Sequence, residues 1–106
     1  MTRYKVVYSP RALDDLERAW DEIYSASLDV DVTDTYIEEL RAKVRDISKY
    51  PKAGERLMFE GIFTGIYYVV HKKYSAFYRV VNDRMEVIRV LYNRSNYMQI
   101  LFDYDS

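Results

Sequence analysis

Residues 3–8 read Arg-Tyr-Lys-Val-Val-Tyr, with Tyr4, Val6 and Tyr8 two apart, the spacing of a short strand. Ser9-Pro10 then marks a helix start, because a serine cap oxygen satisfies an orphan amide and proline has none to lose. From Pro10 to Ser27 the apolar set Ala12, Leu13, Leu16, Ala19, Trp20, Ile23 and Tyr24 recurs at three and four, one continuous helical stripe. Leu28 to Val32 reads as a short acidic connection. A second helix is predicted from about Thr33 to Tyr50, with Tyr36, Ile37, Leu40, Val44 and Ile47 as its stripe. Two amphipathic helices joined so closely form an antiparallel hairpin. Leu16, Trp20, Ile23, Ile37, Leu40, Val44 and Ile47 are expected to be largely buried against a sheet.

Pro51-Lys-Ala-Gly54 closes the second helix with two breakers. Leu57 to Gly65 shows no clean period; Gly61 and Gly65 suggest turns or a bulge around a short extended segment. Three runs rich in Val, Ile and Tyr follow: Ile66 to His71, Tyr74 to Val81 and Met85 to Tyr92. Lys72-Lys73 and Asn82-Asp83-Arg84 are the turns between them. Asn93 to Tyr104 is a tail with a short helical stretch through Tyr97, Ile100 and Leu101. The order β-α-α-β-β-β gives one α+β domain over residues 1–106, its hairpin covering one face of a mostly antiparallel sheet. The opposite face is expected to be open, with Arg79 and Arg89 as candidates to lie on it.

Composition narrows the chemistry. The 106 residues contain no cysteine and one histidine, His71, which removes thiol catalysis, disulfides and multi-histidine metal sites. No phosphate-binding glycine loop or nucleophile elbow is present, and no cofactor or metal is expected. No apolar run approaches the ~18 residues of a membrane span, and no signal peptide is read at the N-terminus; a cytoplasmic location without membrane contact is expected.

The net charge of −1 conceals an asymmetry. Asp14 to Glu39 holds ten acids and one base, a local −9, whereas His71 to Arg94 holds six bases and two acids, a local +4. The basic stretch reads either as a solvated face or as a surface for a polyanion or an acidic peptide. Arg89 sits between Ile88 and Val90 in a strand that otherwise reads as buried. It is therefore exposed on the sheet, paired with the acidic hairpin, or held out for a phosphate or carboxylate. Arg79 has the same readings. Tyr92 and Tyr97 are the acid–base groups nearest Arg94. A tyrosine (unperturbed pKa ~10) needs cationic neighbours to act as a base near neutrality, which Arg89 and Arg94 would supply; otherwise both tyrosines are packing residues. His71 is the better proton-transfer group by pKa, read here as a surface residue at a strand end. Lys72 and Lys73 form either a solvated turn or a phosphate clamp.

Ala12-x-x-Asp15-Leu16 after the opening strand, Pro51-x-x-Gly54 after the second helix, the strand Tyr74 to Val81, and Val87-Ile-Arg-Val-Leu-Tyr-Asn-Arg94 resemble, in order and spacing, the RelE/ParE toxins of bacterial type II toxin–antitoxin systems. The resemblance implies a growth-inhibiting toxin of the plasmid-stabilisation type, held inactive by a cognate antitoxin, as a homodimer or a heterotetramer with it. Its target would be DNA gyrase, on which ParE-type members act without chemistry of their own, or the ribosome, where RelE-type members cut mRNA. The long hairpin helices resemble the ParE branch. In the ribonuclease reading Arg94, Arg89, Tyr92 and Tyr97 are the catalytic candidates, and Arg79, Lys72, Lys73 and His71 the binding ones. The chain departs from the ribonuclease pattern at Ser75, where an arginine is common after the tyrosine, and at Tyr92, where a histidine is common. Those departures also motivate a reading of another class: a non-toxic binding or homodimeric module that keeps the fold.

Overall fold

The computed structural model describes residues 3–102. The elements run β1 (Lys5–Tyr8), α1 (Pro10–Ser27), α2 (Val30–Ile47), a one-turn 3-10 helix (Pro51–Ala53), β2 (Glu55–Phe59), β3 (Ile62–His71), β4 (Tyr74–Val81), β5 (Arg84–Tyr92) and α3 (Tyr97–Phe102). The five strands form one sheet in the order β1-β5-β4-β3-β2. β1 pairs parallel to β5, and the other pairs are antiparallel.

Local chemistry sets the boundaries. The Ala12 amide donates to Ser9 Oγ at 3.0 Å, and Ser9 Oγ itself donates to the Ile88 carbonyl at 2.9 Å. One serine thus caps α1 and ties its start to β5. The hairpin turn is tighter than the sequence suggests. Leu28 takes a left-handed conformation (φ 55°) and its amide donates to Tyr24 O, closing α1. Asp29 caps the next helix by accepting from the Val32 amide at 3.1 Å. Hence α2 begins at Val30, and the predicted five-residue connection shrinks to Leu28 and Asp29.

The unreadable stretch 57–65 becomes β2 and the first half of β3, joined through Glu60 and Gly61, both at positive φ (50° and 79°). An irregularity between Arg56 and Met58 disturbs the alternation, and Thr64 Oγ1 donates to Leu57 O there at 2.7 Å. Two faces then carry two cores. On the helix side, Ala12, Leu16, Ala19, Leu40 and Val44 meet Tyr67, Tyr74, Ala76, Tyr78, Met85, Val87 and Val90. Trp20, Ile23, Ile37 and Ile47, expected in this core, are only half-buried; Trp20 lies at the margin, stacked on Tyr24 at 5.2 Å with its indole N–H donating to Asp34 at 2.8 Å. The opposite face is not open. Leu57, Ile66, Phe77 and Leu91 are buried there beneath Tyr97, Met98 and Leu101 of α3.

Candidate functional site

Where α1 ends, α2 begins and the β3–β4 turn folds over, a groove of ≈ 620 Å³ opens. Its wall is built of Tyr36 from α2, Tyr74 from β4 and Tyr92 from β5. Tyr74 stands edge-to-face against both others, with ring centroids 6.0 Å from Tyr36 and 5.6 Å from Tyr92. Burial pushes the Tyr74 phenol well above its ordinary pKa. Its hydroxyl donates to Glu22 Oε1 at 2.6 Å, which raises it further because the bond favours the protonated form. Tyr36 Oη accepts from the Lys73 amide at 3.1 Å. Lys72 Nζ lies 5.1 Å over the Tyr36 ring and 3.6 Å from Glu39.

Behind this wall lies His71, buried rather than at the surface, because the β3 alternation turns it toward α2. Its Nε2 is 3.1 Å from Glu39 Oε1, and its Nδ1 has no partner. With Glu39 accepting, Nε2 carries the hydrogen of that bond.

The catalytic candidates are scattered. Arg89 does not reach the sheet face. Beyond Tyr8 the edge of β5 is uncovered by β1, and Asp15 of α1 takes that place. Asp15 Oδ2 accepts from Arg89 Nε at 2.7 Å and from the Val90 amide at 2.9 Å, and Oδ1 accepts from Arg89 Nη2 at 3.0 Å. The carboxylate, only 3 % exposed, also receives Arg18 at 3.2 Å. These hydrogen bonds raise the Arg89 guanidinium further. Arg89 is thus the residue paired with the hairpin, one of the readings its sequence position left open. Arg79 does lie on the far side from the helical hairpin, exposed, but its Nε is 3.0 Å from Glu86, which also takes Arg84 at 2.9 Å. Tyr97 packs on Phe77 at 5.4 Å on the α3 side of the sheet, whereas Tyr92 belongs to the groove on the hairpin side. Arg94 is exposed just past β5, with no ion pair among the described residues. Of the eight candidates, the structure gathers Tyr92, Lys72 and Lys73 in the groove, and sets His71 behind it.

Ser75, the departure from the ribonuclease pattern, is buried, and its Oγ donates to Asn93 Oδ1 at 2.6 Å. Asn93 in turn donates to the Lys72 carbonyl at 2.9 Å. The pair stitches the end of β5 to the β3–β4 turn, so the position carries structure where a cation would otherwise stand. Glu22, Tyr36 and Tyr74 are groove residues that sequence reading assigned only to helix faces and a strand. Tyr36 four positions before Leu40 looks like any stripe residue; nothing short of the fold brings it to Tyr74.

Charge compensation is one-sided. The basic stretch is largely matched: Arg89 by Asp15, Arg79 and Arg84 by Glu86, Lys72 by Glu39. On the hairpin, Asp14, Glu17, Asp21, Glu22, Asp29, Asp31 and Asp34 have no cation within 4 Å among the described residues. No set of three His, Asp or Glu side chains there is gathered as a metal ion would require, and no described helix is long and apolar enough to cross a membrane.

Residues 6–97 match the family model of the ParE toxin of type II toxin–antitoxin systems. Among solved structures, the fold is similar to the chromosomal ParDE system from P. aeruginosa. There the TM-score is 0.70 at 15 % identity, over 85 % of this chain and 96 % of that one. It is also similar to the RelBE2 toxin–antitoxin complex from Mycobacterium tuberculosis, with a TM-score of 0.57 at 20 % identity, over 90 % and 97 %. No curated protein matches the sequence.

Proposed function

The chain belongs to the family of ParE toxins of type II toxin–antitoxin systems, and from that premise we propose that it arrests growth by docking on DNA gyrase rather than by cutting RNA. One observation carries this reading. Cleavage by 2′-hydroxyl attack needs a base, an acid and a cation around one phosphate. Here Arg89 is bound to Asp15, while Tyr92 and Tyr97 stand on opposite sides of the sheet. Removing one preorganised group that stabilises transition-state charge costs an enzyme ~2.7–4 kcal/mol in the measured oxyanion-hole case. The stable partner is a cognate antitoxin, as in the toxin–antitoxin complexes whose fold it shares.

Exposed Arg94, free of an ion pair among the described residues, is what favours the ribonuclease reading. Induction of the protein alone in a bacterial host separates the two. The expected result is growth arrest with failing DNA replication and intact mRNA, and Arg94→Ala leaves the message pattern unchanged. New codon-phased 5′ ends by primer extension within minutes, abolished by Arg94→Ala, would establish the ribonuclease. Normal growth would establish a module that keeps the fold without toxicity.

A further inference from the structure

We propose that the groove at the open end of the helical hairpin docks a protein segment that is apolar along one face and basic at its edges. The proposal rests on the toxin reading only in giving the chain a protein partner; its grounds lie in the surface itself.

The first ground is exposed apolar area. At the hairpin tip Leu28 is 75 % exposed, and Val30 and Val32 are each 50 % exposed. Val32 also lines the groove, whose wall is the Tyr36, Tyr74 and Tyr92 triad. Aliphatic side chains gathered beside an aromatic-walled groove mark an interaction surface. A groove of ≈ 620 Å³ holds several side chains at the i, i+3, i+4 spacing by which amphipathic helices anchor.

The second ground is the sign of the charge. Glu22 lines this groove on the hairpin side, facing Lys72 and Lys73 of the β3–β4 turn, and Asp31 and Glu39 line its ≈ 290 Å³ continuation along α2, so three acids stand against two bases over the two together. Of these acids only Glu39 forms an ion pair, with Lys72 at 3.6 Å, and the hairpin rim is where the negative excess lies. Asp21, Asp29 and Asp34 stand exposed on the same hairpin. A partner that brings carboxylates or phosphates here adds to uncompensated negative charge, whereas one that brings lysines or arginines relieves it. The compensation pattern thus reverses what the linear charge map suggests. The basic stretch is largely satisfied internally, and the acidic hairpin is the side left to recruit.

A pair of synthetic helical peptides tests this on the full-length chain by fluorescence anisotropy. The two share one leucine face; one carries Lys and Arg at its flanks, the other Glu. The basic peptide is expected to bind at least about tenfold more tightly at ~20 mM salt, with the gap narrowing at ~0.5 M as the Debye length falls to a few ångströms. Asp31→Lys should weaken the basic peptide and strengthen the acidic one, and Asp31→Asn should do half as much. Val32→Ser, an exposed position whose change leaves the core intact, should weaken both. Equal or tighter binding of the acidic peptide, no binding of either, or binding indifferent to Asp31→Lys and Val32→Ser would overturn the proposal. So would sedimentation showing that a second copy of the chain fills the groove. Growth arrest on induction is read separately, so the peptide result and the toxin reading stand or fall apart.

Discussion

Gly54 lacks a side chain because Tyr78 occupies the space one would need. The Tyr78 hydroxyl donates to the Pro51 carbonyl at 2.6 Å, and a Cβ built on Gly54 would run into that hydroxyl. Tyr78 is fully buried and stacks on Tyr67 at 5.5 Å, so it cannot swing aside. Gly54→Ala is therefore expected to destabilise the fold by about 1–3 kcal/mol, the usual cost of overpacking. Tyr78→Phe removes one of the two hydrogen bonds to the Pro51 carbonyl, which keeps the Gly54 amide at 3.3 Å, at a cost of about 0.5–1.5 kcal/mol. The double variant should lose less than the sum by at least ~0.5 kcal/mol, because the phenylalanine removes the obstructing oxygen. Urea titration of the four proteins reads this, and strict additivity would show that the hydroxyl is not the obstacle. From the sequence, Pro51-x-x-Gly54 was legible as a helix stop but not as a seat for Tyr78. The residue that explains the glycine lies 24 positions downstream, beyond the reach of any local pattern. Arg89 was half legible for a related reason. A charge among β-branched neighbours announces that it needs a partner; only the packing of α1 on the bare edge of β5 names Asp15.

Asp15 is the tie between elements. It gives β5 an acceptor where the strand ladder stops, and it neutralises the Arg89 side chain within the same contact. Removing one partner of a buried pair leaves an unpaired charge, which costs about 3–5 kcal/mol. Asp15→Ala should lose that amount in denaturant titration. Arg18→Ala, which removes only the exposed member, should lose less than ~1 kcal/mol. A loss below ~1 kcal/mol for Asp15→Ala would show that Arg89 and the Val90 amide do not depend on Asp15. At this scale the reading from sequence was uneven. α1, β4 and β5 followed from strong periodicity and their caps. β2 did not, because it is an edge strand with an irregular pairing and its alternation of buried and exposed positions is broken at Leu57. α3 was visible as a short apolar repeat, but not its role. Six residues that look like a frayed tail become the cover of the second sheet face, because Phe77 and Leu91 need one.

Over the whole molecule, the densest run of carboxylates without an ion pair among the described residues lies on the helical hairpin. Repulsion among the hairpin carboxylates opposes folding in dilute buffer and is screened as the Debye length shortens from ~30 Å at 0.01 M salt to ~8 Å at 0.15 M. The thermal midpoint should therefore rise by a few degrees when sodium chloride goes from ~10 to ~200 mM. Asp21→Asn together with Asp31→Asn should flatten that dependence. A midpoint that falls with salt would mean that the internal ion pairs outweigh the hairpin's repulsion. The sequence showed the two charged regions as blocks. It could not show which block is compensated, since each pairing (Asp15 with Arg89, Glu39 with Lys72, Glu86 with Arg79) depends on a fold-level neighbour. The groove was invisible for the same reason: Glu22, Tyr36, Tyr74 and Tyr92 come from four elements and form no motif in the chain.

The parallel pairing of β1 with β5 has a consequence in time. Lys5 to Tyr8 wait for Arg84 to Val87, and Ser9 waits for Ile88, 79 residues later. At a synthesis rate of ~5–20 residues per second, that partner arrives roughly 4–16 s after Ser9 is made. Throughout that interval α1 exists without the strand whose edge Asp15 closes. The first strand is drawn in beside the last only when β5 emerges. A nascent chain cut short before Arg84 holds none of the β1–β5 pairing that joins its two ends.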